Sequence, residues 1–188
     1  DYTILIHYII SKHNNIDINI IKVLSPEIGK TDKTGSTALL HYINNNTIKT
    51  DYYDINVIKA LSAEIGIKNK YNDTALITYI RMNSYNNIDI DIIKVLSPEI
   101  GIQNCVGLTA LMYYIDKDEI EKDTSNIDIN IVKILSTEIG MQDKYGITAL
   151  MIYCMKCKNL NIKLMKLLKK EFYITNRYGK TALDIYKE

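Results

Sequence analysis

Alanine is scarce in this chain, at seven of 188 residues, and tryptophan is absent. Proline occurs twice, and histidine and cysteine three times each. Three cysteines cannot form a disulfide framework, and their small number suits a reducing compartment. Cys154 and Cys157 make a C-x-x-C on a predicted helix, with no second pair and no nearby histidine, so they read as small buried hydrophobes. His7, His13 and His41 bring no set of three or four converging ligands, and no metal is expected. No apolar run approaches the ~18 residues needed to cross a bilayer, so no membrane insertion is expected. A net charge of +1 excludes a uniformly basic nucleic-acid-binding molecule. There is no phosphate-binding loop, dinucleotide fingerprint or nucleophile elbow, and neither a cofactor nor catalysis is expected. The chain opens on Asp1 without an initiator Met or a signal-peptide layout, as a processed or trimmed chain would.

What is present is repetition. Isoleucine (35), asparagine (18) and tyrosine (15) dominate, a bias that an AT-rich genome would produce. The 47% hydrophobic content is ample for a core. The word NIDINIIKVLSPEIG at 15–29 returns at 87–101 and 126–140, with a worn copy at 54–66. A second word, T-A-L, starts at Thr37, Thr74, Thr109, Thr148 and Thr181, and as T-I-L at Thr3. Successive Thr spacings are 34, 37, 35, 39 and 33. Five of the seven alanines sit in these triplets, which argues for a steric need where another backbone passes close.

The spacing between the words is fixed. Eight residues before each Thr from Thr37 onward stands Gly29, Gly66, Gly101, Gly140 or, last, Tyr173. Two residues before it stands Gly35, Asn72, Gly107, Gly146 or Gly179, a set that predicts a left-handed turn residue. Apolar residues at Thr+2, +5 and +6 predict a helix capped by the Thr, here helix A. Ile18, Ile21 and Leu24, with Ile20 and Val23 beside them, predict a second helix, B, capped by Asp17 and closed by Gly29. Pro26 and Pro98 share a place with Ala63 and Thr137, so proline is tolerated there and not required. Units of one helix pair cannot bury their own faces, so stacking into a solenoid is expected.

G-x-T-A-L opening a helix at a period near 33 residues resembles the ankyrin repeat, with T-A-L standing where that family writes T-P-L-H. The likeness covers the chain, and EIGMQDKYGITALM (138–151) looks most like divergent protist arrays. It implies one all-α domain over 1–188, of about five helix pairs plus a terminal helix. The connectors are about three residues shorter than the family's, so short turn fingers are expected, without strands. Leu40, Ile77, Met112 or Met151 replaces the usual His, and Tyr stands at Thr+5 in all six units: Tyr8, Tyr42, Tyr79, Tyr114, Tyr153 and Tyr186. The A–B loops 44–54 and 116–125 are long and irregular.

The six tyrosines lie on the core stripe and read as structural. So does the recurring Glu of E-I-G (Glu27, Glu64, Glu99, Glu138) and its counterpart Glu171. In ankyrin-like arrays the turn tips and helix A line the partner surface. That makes Tyr71, Val106, Leu108, Tyr145, Ile147 and Tyr178 the candidate contacts. Residues 150–188 hold nine Lys/Arg against three Asp/Glu, a basic end that fits either a solvated cap or an acidic partner. TILIHYII is apolar nearly all round, so the first helix is expected to be covered, by a second copy or by upstream residues. The resemblance implies a non-catalytic module that binds another protein, as a cytoplasmic scaffold or adaptor. Two alternatives are an effector exported into a host cell and a regulatory array of a larger enzyme such as a kinase.

Overall fold

A computed structural model describes residues 2–12, 15–46, 53–117, 127–157 and 159–187. Eleven α-helices occur among them, with no β-strand. The A helices are α1 (Ile4–Lys12), α3 (Ala38–Asn46), α5 (Ala75–Met82), α7 (Ala110–Ile115), α9 (Ala149–Lys156) and α11 (Ala182–Tyr186). The B helices are α2 (Ile18–Val23), α4 (Ile55–Ala60), α6 (Ile90–Val95), α8 (Ile129–Ile134) and α10 (Ile162–Leu167). The chain divides into two compact units, residues 1–83 with 87–99, and residues 84–86 with 100–188. In the first, α1 stacks on α3 and α3 on α5, while α2 stacks on α4 and α4 on α6. In the second, α7 stacks on α9 and α9 on α11, and α8 on α10.

Helix A begins where the Thr side chain can reach the third N–H of the helix. Thr74, Thr109 and Thr148 each accept from the backbone N–H three residues on at 3.3 Å. Helix B starts the same way with Asp17, Asp54, Asp89, Asp128 and Asn161 as caps. Its end differs from the sequence expectation. The α-helix stops at Val23, Ala60, Val95, Ile134 or Leu167, and a 3-10 turn follows, as at Ser25–Glu27 and Ser136–Glu138. Glu27 N–H bonds Leu24 O at 2.8 Å, an i→i+3 closure. Gly29 therefore closes the 3-10 turn rather than the α-helix, at φ +86°. Pro26 is tolerated because it sits at the start of that turn, where no N–H is needed.

The hydroxyls of the repeated tyrosines have one answer. Five of the six accept the backbone N–H of the next helix-B cap: Tyr8 from Asp17, Tyr42 from Asp54, Tyr79 from Asp89, Tyr114 from Asp128 and Tyr153 from Asn161, all at 2.7–2.8 Å. Against the expectation of six core residues, Tyr186 is exposed and Tyr8 half-buried. The ring fills the core and the oxygen latches the loop's far end, so the loop between can vary in length. Two loop tyrosines that the pattern did not single out are also core pins. Tyr53 donates to Ile43 O at 3.1 Å, and Tyr85 donates to Tyr114 O at 2.8 Å.

The E-I-G carboxylate joins neighbouring repeats. One oxygen of Glu64, Glu99, Glu138 and Glu171 accepts the N–H of Gly29, Gly66, Gly101 and Gly140 in the preceding repeat, at 2.7–3.0 Å. The other accepts the N–H of Leu39, Leu76, Leu111 and Leu150, in the first turn of its own helix A, at 2.6–2.7 Å. The hydroxyls of Thr37, Thr74, Thr109 and Thr148 converge on the same carboxylates. All four carboxylates are buried. Glu27 has no preceding Gly among the described residues and pairs with Lys30 at 2.6 Å instead.

The alanines of T-A-L are buried in every copy, whereas Ile4, in the same place on α1, is 69% exposed. Within each unit the position lies on a helix A that stacks on the preceding one, which is why it is small. On α1 itself Leu5, Ile6 and Ile9 point inward, so the helix is not uniformly bare; its open side is Ile4, with Val23 of α2 also exposed.

Two predictions follow from this packing. Leu111→Ala and Leu76→Ala, each emptying a fully buried site, should cost ~2–5 kcal/mol in denaturant unfolding. The second concerns the carboxylates. Burial raises Glu64, Glu99, Glu138 and Glu171 above the ordinary 4.5, against the lowering effect of their backbone and Thr hydrogen bonds. The folded state then holds these protons more tightly than the unfolded chain. This contribution is full below 4.5 and is lost as pH rises through the folded values. Asp32 acts oppositely: burial raises it, but hydrogen bonds from Thr34, Ser36 and His41 prevail and hold it at about 2, so its share is lost only as pH falls below 3.8. Melting temperature should therefore rise as pH is lowered from 7 toward 4.5. Glu138→Gln puts an NH2 against one of the N–H donors; it should cost ~1–3 kcal/mol and show a smaller rise. A wild-type melt that falls over that interval would contradict the assignment.

Candidate functional site

The connectors between Gly and Thr form five short fingers, 32–36 and 69–73 in the first unit and 104–108, 143–147 and 176–180 in the second. Each is built on one side chain. Asp32, Asn69, Asn104, Asp143 and Asn176, all at Thr−5, use Oδ1 to accept the N–H groups two and four residues on, at 2.7–3.1 Å. The backbone closes over the same span, with Asn104 N–H to Leu108 O at 3.1 Å and Gly107 N–H to Asn104 O at 3.0 Å. The turn needs a left-handed residue at Thr−2. Gly35, Gly107, Gly146 and Gly179 supply it, and Asn72 does so at φ +59°. Both findings agree with the sequence expectation of short fingers turned by a left-handed residue.

Successive fingers are tied to each other within each unit. Lys70 N–H bonds Thr34 O at 2.8 Å, Lys144 N–H bonds Val106 O at 3.0 Å, and Arg177 N–H bonds Tyr145 O at 3.0 Å. Gln142 Nε2 donates to both Gly146 O at 2.7 Å and Thr175 O at 3.0 Å. The approach is close enough that a Cβ on Gly146 would lie 2.9 Å from Arg177 N, and one on Gly107 would lie 2.8 Å from Asp143 Cα. Glycine is required there for space as well as for backbone sign.

The candidate contacts sit on this frame. Tyr71, in the first unit, is 53% exposed, and Lys70 Nζ lies 5.0 Å from its ring centroid. In the second unit Tyr145 is 48% exposed, with Lys144 Nζ at 4.9 Å, and Tyr178 is 77% exposed. Val106, Leu108 and Ile147 are half-buried. The second unit therefore carries Val106, Leu108, Tyr145, Ile147 and Tyr178 on three consecutive fingers.

Behind the fingers, the Thr+4 position of helix A meets their base. His41 Nε2 lies 2.9 Å from Asp32 Oδ2, and Asn104 Nδ2 donates to Tyr113 OH at 3.0 Å. Asp73 is buried and paired with Arg81 at 3.0 Å. These are structural pairs that brace finger against helix. His13 lies outside the described residues. No group of His, Cys, Asp and Glu fit to hold a metal ion occurs among the described residues. Burial pushes the Cys154 thiol up to about 11, with Cys157 adding to the shift, so this thiol is poorly reactive. No helix is long and apolar enough to cross a membrane among the residues described.

Stacked helix pairs joined by short fingers define a repeat protein of the helix-pair class. Solved structures make that specific. The chain is similar to the ankyrin repeat protein EF0377, with 20% identity over 100% of this chain and 97% of that one, at a TM-score of 0.61. It is similar to an ankyrin repeat domain of Acinetobacter baumannii AYE, with 18% identity over 97% and 89%, at a TM-score of 0.66. It also matches a chain from the complex of the predatory endopeptidase Bd0816 of Bdellovibrio bacteriovorus with immunity protein Bd3460, with 19% identity over 100% and 92%, at a TM-score of 0.61. No protein-family model and no curated protein matches the sequence. The fold is the ankyrin-repeat fold.

The finger geometry gives a paired test. Gly146→Val places a branched side chain at φ +78° and against Arg177 N, and should cost several kcal/mol in denaturant unfolding, on the order of a strained backbone plus a clash. Asn72→Gly should be near neutral, because glycine adopts the same backbone freely. Equal costs would remove the left-handed turn from the account.

Proposed function

We propose that this protein is a non-catalytic module that binds a protein partner through its finger tips. The observation that carries the reading is the combination at Tyr71 and Tyr145. Each ring is half exposed, while the N–H of the same residue is held by an Asn or Asp side chain at 2.8–2.9 Å. An aromatic side chain on a backbone already ordered loses little entropy on binding, which is what a contact hot spot requires. The neighbouring lysines keep the rings wetted and positioned without burying them. Val106, Leu108, Ile147 and Tyr178 extend the contact along the second unit's fingers. The ankyrin-repeat neighbours support the same class of role, and one of them comes from a complex of two proteins. A cytoplasmic setting is part of the proposal, in keeping with three free cysteines.

Affinity capture from the natural cell with mass spectrometry identifies the partner. The Tyr71→Ala, Tyr145→Ala double variant should lose that partner, by about tenfold or more in affinity, with a nearly unchanged melting temperature. Full capture by the double variant would overturn the finger-tip assignment.

A further inference from the structure

The fingers share a second pattern besides the turn. Position Thr−4 reads Lys33, Lys70, Cys105, Lys144 and Arg177, so four of the five fingers place a base directly before the Thr−3 residue. In three of them that residue is a tyrosine, giving Lys70-Tyr71, Lys144-Tyr145 and Arg177-Tyr178. All four bases are exposed. Their exposure is not a property of the last finger. Lys33 has the finger 69–73 tied on behind it, and Lys144 has the finger 176–180, through Lys70 N–H to Thr34 O and Arg177 N–H to Tyr145 O.

The acids of the same fingers are committed to the protein's own donors. The side chains of Asp32 and Asp73 are 6% and 2% exposed, the first against His41 and the second against Arg81. Asp143 is half-buried and accepts the N–H groups of Tyr145 and Ile147, both at 2.8 Å. The exposed charges of the fingers are therefore all of one sign.

The backbone also sets where these bases stand. The N–H groups of Lys70, Lys144 and Arg177 are the ones that bond the Thr−3 carbonyl of the preceding finger, at 2.8–3.0 Å. Each of these side chains is thus rooted at an inter-finger hydrogen bond. The ammonium groups of Lys70 and Lys144 lie beside the adjoining rings, 5.0 and 4.9 Å from their centroids. Stacked helices lie about 8–10 Å apart, so successive fingers of a unit repeat at about that step. An extended chain advances about 3.3 Å per residue, so three residues cover one step.

We propose that the fingers of each unit take an extended acidic segment of the protein partner, in which Asp or Glu recurs at every third residue and meets the Thr−4 bases of successive fingers. The inference rests on the finger-tip reading above and gives that partner its chemistry. Carboxylates bond the ammonium and guanidinium groups. The residues between them lie against Tyr71 in the first unit, and against Tyr145 and Tyr178 in the second. A protein segment is favoured over a nucleic acid by Val106, Leu108 and Ile147, whose half-buried aliphatic surface matches apolar side chains and offers a phosphate backbone nothing.

The probe is a fluorescent peptide of ~10 residues, long enough when extended to pass three fingers, with Glu at every third position and Leu or Ser between. One control peptide has the same composition with its Glu residues in a single block, and another has Lys in place of Glu. By fluorescence anisotropy the spaced Glu peptide should bind, the blocked one more weakly and the Lys peptide not at all, with affinity falling as salt rises. Lys70→Glu, Lys144→Glu and Arg177→Glu together should weaken binding about tenfold or more, with an unchanged melt because all three are exposed. Lys166→Glu with Lys169→Glu, exposed on α10 and its 3-10 turn, should bind as wild type does. Equal binding of the three peptides, no binding, or binding that survives the triple variant would overturn the proposal. If the captured partner is still lost by the Tyr71→Ala, Tyr145→Ala variant in that case, the finger-tip reading stands and only the acidic segment falls. A partner retained by the Tyr double variant overturns both. Binding lost only in the Lys166, Lys169 variant places the acidic site elsewhere and overturns this one. Binding of oligouridylate RNA that the triple variant abolishes, in the absence of peptide binding, would assign the fingers to nucleic acid and also overturn it.

Discussion

Four repeat junctions each turn on a single buried carboxylate. In Glu64, Glu99, Glu138 and Glu171 the two oxygens bind one N–H from the preceding repeat and one from the first turn of helix A, and the Thr hydroxyl closes the cluster. No cation stands among these partners. The carboxylate is offset instead by backbone dipoles, since a helix N-terminus carries partial positive charge and unsatisfied N–H groups. Burial nevertheless prevails over these bonds in setting the pKa. The arrangement is thus a strained compromise electrostatically and a strong one geometrically: donors from two segments, the Gly of the preceding repeat and the Thr and Leu at the start of helix A, meet at one carboxylate only if the repeats are in register. A stack of helix pairs otherwise held by Ile and Leu contacts, which are directionless, acquires its spacing from this cluster.

The same logic explains which residues recur. Thr is fixed because its hydroxyl serves both the helix cap and the Glu. Ala is fixed because, within each unit, a preceding helix A stacks on its helix, whereas Ile4, at the same place on α1, is exposed among the described residues. Tyr at Thr+5 is fixed because its oxygen holds the next cap, and the loop between is thereby released from any constraint on length. Each recurring residue serves at least one contact outside its own helix, so a change at any of them is felt by a neighbouring segment.

Much of this was legible in the sequence. The Thr caps, the Asp caps of helix B, the left-handed residue at Thr−2 and the core placement of Tyr42, Tyr79, Tyr114 and Tyr153 all follow from spacing, because each is a local demand with a local signature. The end of helix B was misread. A Gly after an apolar run looks the same whether it closes an α-helix or a 3-10 turn, and only the i→i+3 bonds decide. The role of Glu could be placed as structural but not specified, since its partners lie 21–37 residues away. The Asx residue at Thr−5 was missed although its signal was present: Asp or Asn occurs in all five fingers, and a side chain that bonds its own turn leaves that mark. The tyrosine latch was beyond reach, because it crosses loops of unequal length.

Positions released from these duties are where recognition can be written. Within each finger, Thr−5 and Thr−2 are committed to the turn, and the backbone at Thr−3 is committed to the next finger in the 34–70, 106–144 and 145–177 pairs. The side chains at Thr−3 and Thr−1 vary from finger to finger, and they read Thr34, Tyr71, Val106, Tyr145 and Tyr178, and Ser36, Asp73, Leu108, Ile147 and Lys180. Asp73 is drawn back into the structure by Arg81, and the Thr34 hydroxyl bonds Asp32 and Ser36 within its own turn; the set differs in size, polarity and charge on a backbone that does not change. A frame of this kind separates stability from specificity. Within each unit the bonded positions hold the fingers at fixed spacing, and the varied ones present a different side chain at each step. On the proposed reading, a partner surface matches that order of aromatic, aliphatic and polar groups within a unit, since the fingers themselves have little freedom to adapt to it.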